Sequence, residues 1–127
     1  MIVDKAQALH SFWSSFGLTA IDEYSAYDER MDLPDNYLTY DVVTSNLGDP
    51  VAMSVNLFYR STSWTEITQK ADEIARSIGY GGKVIPITGG YIWIKLGTPF
   101  AQRIAVDQDS DLRRIYLNIS VDYLTET

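Results

Sequence analysis

Two stretches of the chain alternate apolar and polar side chains over their whole length, and they limit the fold more than any other feature. Residues 51–60 place Val51, Met53, Val55, Leu57 and Tyr59 on one face and Ala52, Ser54, Asn56, Phe58 and Arg60 on the other. Residues 113–124 set Ile115, Leu117, Ile119, Val121 and Tyr123 against Arg114, Tyr116, Asn118, Ser120 and Asp122. A period of two is that of a β-strand with one face on a core. A slip of one residue would turn every one of these apolar groups to solvent, so the pattern also specifies register. The second run is long for a strand, which predicts that it crosses the middle of the sheet or passes its edge.

A sheet with one apolar face needs a cover, and two helical stripes supply it. In residues 4–16, Leu9, Phe12, Trp13 and Phe16 recur at helical spacing, with Asp4 and Gln7 forming a capping box and Gly17 as the stop. Farther along, Ile67, Ala71, Ile74, Ala75 and Ile78 form a stripe, with a capping box predicted between Ser63 and Glu66 and an end at Gly79. Residues 37–44 alternate through Leu38, Tyr40 and Val42, and the turn chemistry of residues 46–50 joins them to the next strand as a hairpin over 37–61. A second hairpin turns at Gly89-Gly90, from a short strand at 83–87 to one at 91–96 that buries Ile92, Ile94 and Leu96 and presents Tyr91, Trp93 and Lys95. Residues 19–36 read as a long connection with at most a short strand near 19–24, and residues 97–112 read as loop. The expected fold is a single α+β domain over residues 1–127, two helices on a mainly antiparallel sheet, in the order α-β-β-α-β-β-β.

With 46% hydrophobic and 21% charged residues among 127, the chain has an ordinary globular composition. It has no cysteine and one histidine, which excludes disulfides, thiolate metal sites and multi-histidine metal sites. No apolar run approaches a membrane span, and the start MIVDKAQALH lacks a signal-peptide layout, so synthesis in the cytoplasm with no membrane association is expected. The net charge of −7 argues against gripping nucleic acid, which needs a clustered basic face. That excess lies wholly in residues 1–50, where Asp4, Asp22, Glu23, Asp28, Glu29, Asp32, Asp35, Asp41 and Asp49 face only Lys5 and Arg30. Residues 51–127 balance eight acids with eight bases.

Catalytic constellations are not legible. His10 is the only imidazole, it falls at the border of the first helix's apolar stripe, and no GxSxG accompanies it. The glycines at 79, 81, 82, 89 and 90 precede no helix and read as turn glycines rather than a phosphate loop. Asp107, Asp109 and Asp111 alternate like a calcium loop, but Leu112 stands where the turn glycine is needed and Asn118 where a bidentate acid belongs. The expectation is no metal, no cofactor and no enzymatic activity. Phe58, Tyr91, Trp93 and Tyr116 fall on faces that the core need not claim. Either the second helix or loops bury them, or, beside Arg114 and with Asp107, Asp109 and Asp111 as polar neighbours, they form a subunit or partner interface.

The linear order of motifs adds a family resemblance. A short N-terminal helix, an acidic loop, a Pro34/Tyr37–Tyr40 strand (YLTY), a strand ending FYRSTSW, the helix TEITQKADEIARSIG, then GGYIWIKLGTPFAQRI and RRIYLNISVDYLT together resemble the tail-terminator (tail-completion) proteins of siphophages and their prophages. These are often labelled minor capsid or neck proteins. The resemblance runs from about residue 6 to 125 and contains no catalytic signature. It implies an α+β subunit that forms a ring, typically a hexamer, at the head-proximal end of the tail tube. Its partners would be further copies of itself, the tail tube protein and head connector proteins, and DNA would pass through without specific binding. The implied location is the virion neck, after synthesis in a bacterial cytoplasm. By the same analogy the segments 22–36 and 97–112 are candidates for ring or tail contacts. Alternatives are another head–tail joining or tube protein, or a small cytosolic binder or enzyme with Tyr91, Trp93 and Tyr116 as a pocket floor. The acidic excess would then serve either to repel phosphates in a channel or to keep a ring-former soluble.

Overall fold

The computed structural model describes residues 4–23, 33–42, 50–106, 109 and 111–125. Its elements are α1 (Lys5–Ser14), β1 (Thr19–Asp22), β2 (Asn36–Tyr40), β3 (Val51–Arg60), α2 (Thr65–Ile78), β4 (Lys83–Ile87), β5 (Gly90–Ile104) and β6 (Leu112–Thr125). One six-stranded sheet runs in the order β1-β2-β3-β6-β5-β4. All neighbours are antiparallel except β1 and β2. The class is therefore α+β, as expected, but the order is α-β-β-β-α-β-β-β. The added strand is β1, whose four residues pair in parallel with β2, Thr19 opposite Tyr37 through Asp22 opposite Tyr40. A strand this short shows no periodicity, and its partner lies across a connection rather than a turn.

A second correction concerns residues 97–104, expected as loop. β5 continues through them, past a register shift between Leu96 and Ala101 that includes a cis Thr98–Pro99 peptide. Gly97 and Pro99 are poor strand residues on local propensity, yet tertiary packing holds them. A Cβ on Gly97 would stand 2.8 Å from the Asn118 carbonyl oxygen, so only glycine lets the two backbones approach there. The Asn118 amide donates to the Pro99 carbonyl at 2.7 Å and ties the irregularity to β6.

Both helices lie on one face. The apolar sides of β3 and β6 meet Ile67, Ala71, Ile74 and Ile78 of α2, all buried. α1 buries Ala8, Leu9, Phe12 and Trp13 and touches both edge strands, β1 and β4, so the sheet curls around it. Phe12 packs edge-on to Trp13 and Phe16 at 4.8 and 5.3 Å between ring centroids. The α1 capping box forms, with the Gln7 amide donating to Asp4 Oδ1 at 2.7 Å. The one predicted at α2 does not: Ser63 Oγ accepts instead from the Thr65 amide, and the helix begins after Trp64 with no side-chain cap. No helix among the described residues is long and apolar enough to cross a membrane.

Ile74 and Leu117 are both wholly buried, on α2 and on the central strand. Replacing either with Ala should cost about 2–5 kcal/mol in urea denaturation, the range for buried large-to-small changes. Losses below about 0.5 kcal/mol at both sites, the scale of surface substitutions, would contradict this packing.

Candidate functional site

Both helices lie on one side of the sheet, and neither covers the other side, where Tyr37, Thr39 and Asn56 are buried and the strand-end residues around Tyr91 exposed. Register places Phe58, Arg114 and Tyr116, together with Tyr91 and Trp93, all on that outer face. The expected burial of these aromatics beneath α2 or loops fails for α2, which packs on the opposite side; Phe58, Trp93 and Tyr116 are nonetheless half-buried, and only Tyr91 is exposed. The five do not form one cluster. They divide between two wings of the sheet.

On the β4-β5-β6 wing, Trp93 is pinned: its indole N–H donates to the Gly81 carbonyl at 3.0 Å, and Lys95 Nζ stands 4.4 Å from the ring centroid. Lys95 is in turn ion-paired with Asp122. Gly82, at φ +85°, is where the turn closes on this wing, and a Cβ there would lie 2.7 Å from the Ile94 carbonyl oxygen. Beside Trp93 runs an uncovered apolar strip. Val84 is 52% exposed, Tyr91 53% and Leu124 42%, with Pro86 opposite Tyr91 on the edge strand. Proline on an edge strand removes a ladder donor and so discourages strand addition. The strip is open face-on. Val84, Pro86 and Leu124 were not legible from sequence as a group, because they come from β4 and β6, which are not neighbours in the sheet.

On the β2-β3-β6 wing, Phe58 stacks on Tyr37 at 4.9 Å, and the Arg114 guanidinium lies 5.9 Å from the Phe58 centroid. Arg114 Nε donates to Asn56 Oδ1 at 2.8 Å, and Asn56 is only 7% exposed. Next to them Ser54 Oγ and the Tyr116 hydroxyl share a 3.0 Å hydrogen bond. Tyr37, Thr39, Asn56, Phe58 and Arg114 line a cleft of about 190 Å³, with Glu23 and Leu33 on its walls. Burial raises the Tyr37 phenol above its ordinary range, and Arg60 offsets this in part. Sequence reading missed Tyr37, Thr39 and Asn56. The hairpin register, which sets Tyr37 opposite Phe58, is the signal that could have found them.

The acidic loop goes elsewhere. Asp109 Oδ2 accepts from Arg60 at 2.8 Å and Asp109 Oδ1 from the Asp111 amide at 3.1 Å, while the Asp111 carbonyl accepts from the Ser61 amide at 2.7 Å. Arg60 holds the Asp109 carboxyl below its ordinary range, with the Asp111 amide adding to the effect. The Asp109 carboxylate and the Asp111 backbone carbonyl fasten the loop to the end of β3 rather than joining the aromatic face. Asp107 lies outside the described residues. Trp64, also not singled out from sequence, carries two guanidinia against its ring, Arg103 at 5.0 Å and Arg113 at 5.3 Å.

His10 sits between Tyr40, whose hydroxyl is 3.0 Å from Nδ1, and Ser14, whose Oγ is 3.4 Å from Nε2. The arrangement has a serine and an imidazole in reach of each other, with the serine at the carbonyl end of α1. The helix dipole there is negative and opposes a developing oxyanion. Of the acids in residues 1–50, Asp22, Glu23 and Asp41 gather where β1 and β2 end. Asp35 stands near Arg60. Asp28, Glu29, Asp32 and Asp49 lie outside the described residues. Burial pushes the Asp41 carboxyl up, the Ser54 amide, donating at 2.7 Å, pulls it back, and Glu23 and Asp22 push it up again. Burial, with Asp41 nearby, raises Tyr123 to about 12.

Compared with protein-family models, curated proteins and solved structures, the chain finds no match.

A carboxyl raised by folding contributes stability below its unfolded pKa of about 3.9, and that contribution is lost as pH rises through the folded value. Asp41→Asn keeps an acceptor for the Ser54 amide and removes the desolvated charge. Thermal melts should show the variant above the wild type at pH 7, with the gap closing near pH 3. A wild type more stable than the variant at pH 7 would contradict the assignment.

Proposed function

We propose that this chain is a structural subunit of the siphophage or prophage tail-terminator type. Copies form a ring, on the scale of a hexamer, that closes the head-proximal end of a tail tube and joins it to head connector proteins. The resemblance in motif order supports this. So does one structural observation, which carries the reading: a single sheet face, left open by both helices, bears two unlike surfaces. One is the apolar strip around Tyr91, the other the polar-aromatic cleft around Arg114.

A ring is built from heterologous contacts, in which each copy offers one patch to one neighbour and a different patch to the other. Exposed tyrosine, valine and leucine beside tryptophan, with an arginine on the same face, have the composition of an interface centre rather than of a solvated sheet. A small-ligand reading of the outer face fares worse: ligand pockets run to about 300–1,000 Å³, and the cleft that Arg114 lines is about 190 Å³. On this reading the subunit is not an enzyme and needs no cofactor. The net charge of −7 per copy keeps DNA from adhering as it passes.

Mass photometry and light scattering test the reading. The wild type should give a species near six times the 14.3 kDa chain, with rings in negative-stain images. Paired Val84→Asp and Tyr91→Glu changes, both on exposed positions, should shift it to monomer without loss of helical signal. A wild type that stays monomeric at all concentrations would contradict the assignment.

A further inference from the structure

Arg114 is built as a receptor with its business end open. Its Nε is occupied by Asn56 Oδ1, which is nearly buried, and its guanidinium is backed by Phe58, itself stacked on Tyr37. Those contacts set the plane of the group. Among the described residues no protein oxygen accepts from its two terminal nitrogens, and Arg114 lines a cleft of about 190 Å³. A guanidinium oriented through Nε presents its remaining donors as a planar fork, the arrangement that takes a carboxylate on two parallel hydrogen bonds. The volume suits one side-chain head group and little more.

We propose that the Arg114 cleft receives one carboxylate, donated by an acidic side chain of a neighbouring copy of this chain. Charge asymmetry argues for that source. Residues 1–50 carry nine acids against two bases, so each copy offers a surplus of carboxylates, whereas residues 51–127, which hold Arg114, carry none. This proposal rests on the ring reading and gives the contact its polar half. Glu23 on the cleft wall limits it, since its own charge opposes an incoming carboxylate.

The test measures the protein concentration at half-assembly, by mass photometry, for the wild type, Arg114→Gln, Arg114→Lys and Glu23→Gln. Arg114→Gln should raise it about tenfold or more, the scale of one lost charge-assisted hydrogen bond. Arg114→Lys should restore little, since lysine keeps the charge without the fork. Glu23→Gln should lower it. Because removing Arg114 strands Asn56, the wild type is also assayed in sodium acetate against sodium chloride at equal ionic strength, where acetate should loosen the assembly. A wild-type ring indifferent to acetate and to both Arg114 variants overturns the proposal and leaves the ring standing. Acetate that perturbs the Arg114 Nε–H resonance without loosening the ring makes the cleft a site for small free carboxylates, which also overturns it. A monomeric wild type removes the neighbour, and the ring reading falls with the proposal.

Discussion

The antiparallel pairing of β3 with β6, from Val51 opposite Val121 to Arg60 opposite Leu112, is the constraint on which the rest of the structure depends. These two strands form the middle of the sheet, and their alternation is in phase. Met53, Val55, Leu57, Ile115, Leu117, Ile119 and Val121 therefore share one buried face, while Phe58, Arg114, Tyr116 and Asp122 share the other. A slip of one residue would exchange the two sets and leave α2 packed on Asn56, Asn118 and Ser120. The register decides at once where the helices sit and which side chains remain outside.

That division explains the chemistry of the molecule. Charged and polar groups with a partner in reach serve to hold the frame: Asp109 with Arg60 fastens a loop, Lys95 with Asp122 steadies the Trp93 wing, and the Asn118 amide ties the β5 irregularity. Ser14, in reach of His10, lies at the wrong end of α1 for anion stabilisation. What the outer face retains is area and composition, an apolar strip on one wing and an oriented guanidinium on the other. In the proposed ring these would be unlike halves of a contact.

Long periodic segments were legible in the sequence. Most positions that periodicity nominates, among them Leu9, Trp13, Ile67, Ile74, Ile94 and Leu117, are buried, whereas Val42, Val51, Ala75 and Leu96 are only half-buried. Alternation also set Phe58, Tyr91, Trp93, Arg114 and Tyr116 on faces that the core need not claim, and the register places all five on the side away from α2. What was not legible depends on contacts between distant residues. β1 is too short to show a period and pairs in parallel with β2. Residues 97–104 look like loop because Gly97 and Pro99 oppose strand formation, and only the close approach of Asn118 shows why glycine is required. The Ser63 cap failed because Ser63 spends its hydroxyl on Thr65 at the first helical residue. The cleft was hidden for a similar reason, since Tyr37, Asn56 and Arg114 belong to three strands and meet only through register.

The central claim is that the sheet face left open by the helices is where copies of this chain meet. Hydroxyl-radical footprinting of the wild type at low and high protein concentration tests it directly. The account predicts that Tyr91, Val84 and Leu124 lose reactivity as concentration rises, while Tyr80, fully exposed in the turn after α2 and outside the face, keeps it. Equal reactivity of the strip at both concentrations, in a sample shown to have assembled, would contradict it.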